Sequence, residues 1–430
     1  MKTPEARNAA EQDLRAALSQ VRPRAPWLGD LQAAGRDAFE ARGLPTRRNE
    51  AWKYSDLSRA LEPVPAPGGE RGFAFSLPGA EVITVTDGIV SGQKSGIWQA
   101  LSSALAEPSD IVKEKLGRIN PQADHPMLGL NTALMEDGAV IRIPAGTTRE
   151  RAIHLRFVWT GADAALHGHH LRVLVVLEEG AQARILETHE GPGASGLATI
   201  VTEIDLAPRA ELHLTRMEAL GAGARQSAVL TARIGREARL DGFHLSRGAA
   251  FSRFEVLASL AGAGAGLAFD GAYLVGEARH NDTTTVIEHA VPHTTSRQMF
   301  RGVLAGTARG VFQGRVVVKP GAQQTDAQQQ SRAVLLSRRA EIDVKPELEI
   351  FADDVKCSHG ATAGELDPAA LFFMRARGIP EKEARALLVE GFLEQGMEAL
   401  SDPELRAIAQ AFVRDWLDAH AVEVTHADQR

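Results

Sequence analysis

The single cysteine of the chain, Cys357, stands two residues before a histidine in the run Asp353-Asp354-Val355-Lys356-Cys357-Ser358-His359-Gly360-Ala361-Thr362. A thiolate and an imidazole are the side chains best matched to soft and borderline metals. Residues two apart on a strand share a face, so Cys357 and His359 could address one ligand or one partner together. Two donors do not close a site, because structural zinc and iron-sulfur clusters usually take about four protein ligands. Any missing ligands would come from another chain. The competing reading makes Cys357 a small buried hydrophobe beside a hydrogen-bonded histidine.

Other constellations carry less chemistry. His167-Gly168-His169-His170 precedes the strand-like run 171–177, where neighbours point to opposite faces and His169 and His170 cannot easily share one ion. His289 and His293 have helical ligand spacing, but Pro292 between them removes a helix hydrogen bond, and with His280 they read as structural or surface residues. Asp353 and Asp354 are neighbours whose carboxyls diverge on a strand, unlike a converging acid/base pair. Gly92-Gln93-Lys94-Ser95 lacks the spacing of a phosphate loop, so the chain is not expected to hydrolyse ATP alone. Gly262-Ala263-Gly264-Ala265-Gly266 lacks the third glycine of a dinucleotide fingerprint and is read as close backbone packing. Gln323, Gln324, Gln328, Gln329 and Gln330 fit either an amide ladder between stacked strands or a solvated loop.

The chain has 430 residues and a net charge of -7, which disfavours sequence-independent nucleic-acid binding. The first residues show no apolar signal region, and no apolar run approaches the roughly 18 residues of a membrane span. One cysteine forms no internal disulfide, so a cytoplasmic location is expected, without a nucleic-acid or membrane partner.

The elements that must position Cys357 and His359 fall into four regions. Residues 1–72 read as helices and a linker (61–72), with Leu14, Ala17, Leu18 and Val21 as one helical stripe. Residues 73–138 are mixed, with a strand over 80–88 and short helices over 97–107 and 110–117. From 139 to 362 short β-branched runs alternate with turn residues, and an apolar residue followed four positions later by Ala or Gly recurs. It appears at Leu177/Ala181, Leu206/Ala210, Ile234/Ala238, Leu260/Gly264, Leu304/Ala308 and Leu336/Ala340. The small residues lie 29, 28, 26, 44 and 32 apart, and the long interval is read as holding an extra turn. Such quasi-periodicity predicts a β-helix; a β-sandwich with regular hairpins is the alternative. Residues 363–430 read as three helices opened by Asp367-Pro368, Pro380 and Ser401-Asp402-Pro403, the first closed by Gly378. Leu371, Phe372, Leu387, Leu388, Phe392, Leu393, Phe412 and Trp416 exceed what these helices need for themselves. They should dock on the solenoid end or form a partner site.

Several blocks together resemble the SufB/SufD family of iron-sulfur cluster assembly proteins, and its SufD side most closely. They are Arg47-Arg48-Asn49-Glu50-Ala51-Trp52-Lys53-Tyr54-Ser55, Phe312-Gln313-Gly314-Arg315, Gln323-Gln324-Thr325-Asp326-Ala327, Lys345-Pro346-Glu347-Leu348-Glu349-Ile350, and Asp354 through Thr362. The resemblance implies a mainly β protein: a right-handed parallel β-helix core flanked by N- and C-terminal helical domains. It also implies a non-catalytic scaffold subunit that pairs with a SufB-like paralogue and binds a SufC-like ATPase through its C-terminal helices. In the family the assembly site lies between SufB and SufD, and the SufD histidine there matches His359. Cys357 matches a cysteine near that interface, with a less defined role. A transient iron ion or iron-sulfur cluster would be shared with SufB, and any flavin on the complex has no residues assignable in this sequence. SufB-like chains have additional cysteines and a glutamate where Ser358 stands, so this chain alone should neither accept sulfur nor hold a whole cluster. Two other readings are an exported polysaccharide lyase or hydrolase on a β-helix, and a homodimeric scaffold without a metal role.

Overall fold

The computed structural model describes residues 9–420 except 24, 63–71, 94, 121–123, 162–167 and 194–195. His167, Lys94 and most of the 61–72 segment lie outside the described residues.

The short β runs alternate between two sheets. In hydrogen-bonded order the first contains Ile89–Gly92, Glu81–Thr86, Ile153–Val158, Gln182–Gly191, Glu211–Leu220, Arg239–Ser246, Gly266–Val275, Thr295–Leu304, Asp326–Leu335 and Lys356–Gly364. The second contains Trp98–Ala100, Gly138–Ile143, His169–Leu177, Leu197–Leu206, Arg225–Ile234, Phe251–Leu260, His280–His289, Arg309–Val318 and Glu341–Ile350. Each strand pairs in parallel with the strand one coil later; in the first sheet Gln182, Glu211, Arg239, Gly266, Thr295, Asp326 and Lys356 stand in one register row. This is a parallel β-helix. Coil-to-coil parallel pairing excludes the sandwich of hairpins, and antiparallel pairing among these strands occurs only near the start, where Glu81–Thr86 meets Ile89–Gly92 and Trp98–Ala100 meets Gly138–Ile143.

The repeat has its physical origin at the corners. The last corner from the second sheet to the first, 351–355, has no left-handed residue, and the one at 319–325 has a second at Gly321; otherwise each such corner from Gly180 onward carries one, namely Gly180, Arg209, Glu237, Gly264, His293 and Gln324, with φ between 57° and 76°. Their amides donate to the next coil, as Arg209 N does to Arg236 O at 2.9 Å and His293 N to Gln323 O at 2.9 Å, so the ladder continues through the turn. The 44-residue interval is not an extra turn. Ala181, Ala210, Ala238 and Gly264 sit at this corner, whereas Ala308 and Ala340 sit at the opposite one, between Thr295–Leu304 and Arg309–Val318 and between Asp326–Leu335 and Glu341–Ile350. The interval therefore spans about one and a half ordinary coils. Gly262 packs as its sequence suggests: a Cβ there would lie 2.0 Å from Arg236 N.

Most of the lumen is apolar, with Ile185, Ile200, Leu214, Leu230, Leu240, Val256, Leu267 and Phe300 among its buried members. A charged layer interrupts it. Arg216, on the lumen side beside Leu214, bonds Glu187 and Glu218, while His189 bonds Glu187 at 2.9 Å. Arg216 also lies 4.6 Å from the Phe254 ring centroid, and Gln226, Ser246 and Ser252 donate to Glu218.

Helices cover both outer faces. Pro126–Leu134 is buried along its length on the second sheet, where Asn131 donates to Leu171 O at 2.9 Å and Arg172 meets Glu203 at 2.8 Å. The first sheet is covered by Glu381–Met397 and Pro403–Ala419, whose Val389, Leu393, Phe412 and Trp416 pack on Leu186, Met217, Leu245 and Leu274. The C-terminal helices thus dock on a lateral face and not on the solenoid end. Asp367 caps Pro368–Arg375 by accepting from Ala369 N, and Asp402 caps the last helix through Glu404 N and Leu405 N. Near the start, residues 98–100 form a strand before the helix Leu101–Ala106, because they pair with Gly138–Ile143.

Candidate functional site: the open last coil

Glu341–Ile350 and Lys356–Gly364 are the terminal strands of their sheets, each hydrogen-bonded on one side only. Their residues are exposed or half-buried throughout, and Ile350 and Phe351 at the end of the first are 41 % and 60 % exposed. Earlier coils are closed by the next coil; among the described residues nothing continues either sheet beyond this one. Its lumen side carries Ile342, Val344, Leu348 and Cys357, which pack onto the buried core from half-exposed positions. Cβ directions alternate along a strand, so His359 shares the face of Cys357. Its register partner one coil back is Gln329, and that of Cys357 is the buried Ala327.

Cys357 is half-buried and unbonded to any other cysteine. Burial, followed by the nearby Asp326 carboxylate, pushes its thiol up. It is therefore protonated at neutral pH, unlike an activated nucleophile, and a metal would have to displace the proton. His359 is exposed on the same strand. The pair offers one nitrogen and one sulfur at an unfinished edge.

The N-terminal motif is tied to this end. Trp52 is buried, stacks on Phe251 and lies 4.1 Å from the Arg253 guanidinium, while Arg253 and Gln313 donate to Ala51 O. Glu50 reaches Lys345, on the last coil, at 2.5 Å. Ser55 bonds both His280 and Asp282, a set in which Ser55 and Asp282 are buried and His280 half-buried, the hydroxyl is held by both partners and the imidazole is not oriented by the carboxylate. Burial, then Arg309, Arg253 and Arg47, holds His280 down at about 3, so it serves as a neutral structural group.

The remaining sequence candidates separate. His169 lies tilted against Trp159 inside the lumen, with ring centroids 5.2 Å apart, and His170 bonds Thr199 at 2.8 Å on the opposite face. His289 is held by Thr294 and Ser296, each at 2.8 Å, and His293 occupies its corner. Asp354 receives Gln324, and its own amide donates to Gln323 at 2.8 Å. Of the five glutamines singled out between 323 and 330, Gln329 alone points into the lumen, at 3 % exposure.

A trio was missed: Glu211, His213 and Asp241 bring ligand-type atoms within 4.8 Å of one another. His213 and Asp241 line a cleft of about 900 Å³ between the first sheet and residues 398–405. Glu211 and His213 follow the strand period, but Asp241 joins them only through the coil register. Arg239 holds both Asp241 oxygens at 3.0 and 2.8 Å, making this an ion-pair network whose guanidinium opposes a dication.

On the C-terminal helices, Phe372, Phe373 and Leu387 remain 74 %, 55 % and 43 % exposed, and Pro368–Arg375 buries none of its residues. No helix among the described residues is long and apolar enough to cross a membrane.

The fold and this site define a parallel β-helix protein whose metal-type donors lie at an incomplete end. The profile of the SUF system FeS cluster assembly SufBD core domain matches residues 157–392, and the chain belongs to this family. It is 30 % identical to a SufBD family iron-sulfur cluster assembly protein of Synechocystis, over 81 % of this chain and 82 % of that one. It is 27 % identical to SufD of Escherichia coli over 85 % and 87 % of the two chains, and 28 % identical to SufD of Bacillus subtilis over 70 % and 69 %. The chain is a SufD-like iron-sulfur cluster assembly protein.

Proposed function

We propose that this chain is a non-catalytic cytosolic scaffold that pairs through its last coil with a SufB-like paralogue and presents His359, with Cys357 beside it, to iron or a nascent cluster. The observation that carries the reading is the open coil itself: two sheet edges, an apolar lumen mouth and two metal-type donors occupy one surface. Unpaired strand edges are templates for another chain's strands, and a second β-helix end would extend both sheets while covering Ile350 and Phe351. One nitrogen and one thiol cannot complete a cluster site, so the partner supplies the other ligands. Iron is the cargo of this site and not its resident cofactor.

We assign the exposed aromatic ridge of Phe372 and Phe373 to a SufC-like ATPase. Adjacent exposed aromatics on one short helix are suited to anchor a partner. Co-expression with SufB-like and SufC-like chains, purified by a tag on this chain, should recover both. Phe372→Ser with Phe373→Ser should reduce ATPase recovery at least about tenfold while the paralogue remains, since two lost aromatic anchors are worth more than about 1.4 kcal/mol. Undiminished recovery of the ATPase would place its contact elsewhere.

A further inference from the structure

Gln329 lies one coil behind His359 in a parallel register and is 3 % exposed. Both polar atoms of its amide are buried without a hydrogen-bond partner among the described residues. Its side chain crosses the lumen to Gly314, where a Cβ would lie 2.0 Å from Gln329 Nε2. One coil further back, Gln298 is completely buried and accepts from Thr285 through Oε1. A column Gln298, Gln329, His359 therefore runs along the lumen face of the first sheet and ends at the open coil.

A buried amide with neither end satisfied keeps the desolvation cost of both its groups, so an apolar residue of similar volume would be the more stable choice if packing were its only task. Register partners in a parallel pair have their Cα atoms about 4.8 Å apart, and an amide on a two-methylene stem spans that distance. A metal-bound histidine characteristically donates its other ring N–H to an acceptor, which fixes both tautomer and ring orientation.

We propose that Gln329 is the positioning residue for His359: its Oε1 accepts one ring N–H and leaves the lone pair of the other nitrogen directed out of the open end. Nε2 of the same amide turns to the second lone pair of Gln298 Oε1, so Thr285 anchors the column from behind. The structural role of the hydrogen bond is independent of any metal; its value for cluster assembly rests on the proposed ligand role of His359.

The test measures the two ring nitrogen shifts of His359 at alkaline pH in the full-length chain labelled with nitrogen-15 histidine, the resonance being assigned with His359→Ala. The wild type should show two widely separated shifts, the signature of one tautomer. Gln329→Met keeps the volume but removes the acceptor, so the shifts should move toward each other; Gln329→Glu keeps an acceptor oxygen and should restore the separation. Gln329→Leu provides a second apolar replacement if the methionine variant does not fold. A folded apolar variant with wild-type shifts, or a folded Gln329→Glu with averaged shifts, would overturn the proposal. In the partner complex, Gln329→Met should weaken iron retention about tenfold, at the lower end of the effect of losing a histidine's supporting acceptor. A His359→Ala complex that keeps its iron and sulfide would remove the ligand role of His359 while leaving the tautomer result standing.

Discussion

Replacing Arg216 with methionine should destabilise the protein by about 3–5 kcal/mol, the usual cost of deleting one partner from a buried charge set. Burial opposes ionisation of Glu187 and Glu218, yet the Arg216 charge together with the hydrogen bond of His189 to Glu187 and the approach of His244 to Glu218 outweighs it, holding Glu187 at about 2 and Glu218 well below the ordinary carboxylate range. Without the guanidinium, two carboxyls face a lumen whose neighbouring imidazoles, His189 and His244, are themselves held toward the neutral form by burial. Methionine fills the arginine's space against Phe254 but offers no donor. The measurement is urea unfolding of wild type, Arg216→Met, and the triple variant that adds Glu187→Gln and Glu218→Gln. The triple variant should recover part of the loss, because it removes the stranded charges. A loss below about 1 kcal/mol in Arg216→Met would mean that solvent reaches the charged layer and screens it.

Acid should weaken the fold well before carboxylates titrate in bulk. Burial depresses His154 to about 4, assisted by the Arg156 charge; burial alone depresses His289 to about 4; His280 lies at about 3. Above pH 6.5 these groups are neutral in both states and impose no pH dependence. Below 6.5 the unfolded chain takes up a proton at each while the folded chain does not, so stability falls with pH until the folded values are reached. A shift from 6.5 to 4 corresponds to about 3 kcal/mol for one histidine. Asp270 works in the opposite direction: burial first, against Arg297, raises it to about 6, so the folded state holds a proton between about 6 and 3.8 that the unfolded state lacks. Three histidines outweigh one aspartate, and below the ordinary carboxylate value Glu187 adds a further loss. Unfolding midpoints should be level from pH 8 to about 6.5 and then fall steeply to pH 5. A midpoint unchanged at pH 5 would contradict neutral burial of these histidines.

The sequence made the coils legible because a closed lumen imposes its own spacing: a tight corner with a small residue recurs along the coils, and most corners add a left-handed residue. It misled at 44 residues because both corners use small residues, and only the strand assignment tells them apart. The charged layer was illegible for a related reason. Leu186 faces the covering helices while Glu187 faces the lumen, so both sides of the strand are buried and alternation no longer distinguishes inside from outside. Gln329 was concealed by Gln328 and Gln330, which have the same chemistry but face away from the lumen. The Cys357/His359 pair was visible from residue type and spacing. That it stands on the last coil followed from the helical pattern beyond residue 362; that this coil stays uncovered did not, because the apolar surface of the C-terminal helices fits the solenoid end as well as the lateral sheet face. Likewise, Phe412 and Trp416 could not be distinguished from Phe372 and Phe373 by composition: the first two meet the lateral sheet face, and the latter stay exposed.

The most direct test of the account is the anaerobic iron and acid-labile sulfide content of the complex with SufB-like and SufC-like partners, purified through this chain as wild type and as His359→Ala. The account predicts that both complexes assemble, that the wild type carries cluster and that the variant loses it. An assembled His359→Ala complex with wild-type iron and sulfide would contradict the role given to the open coil.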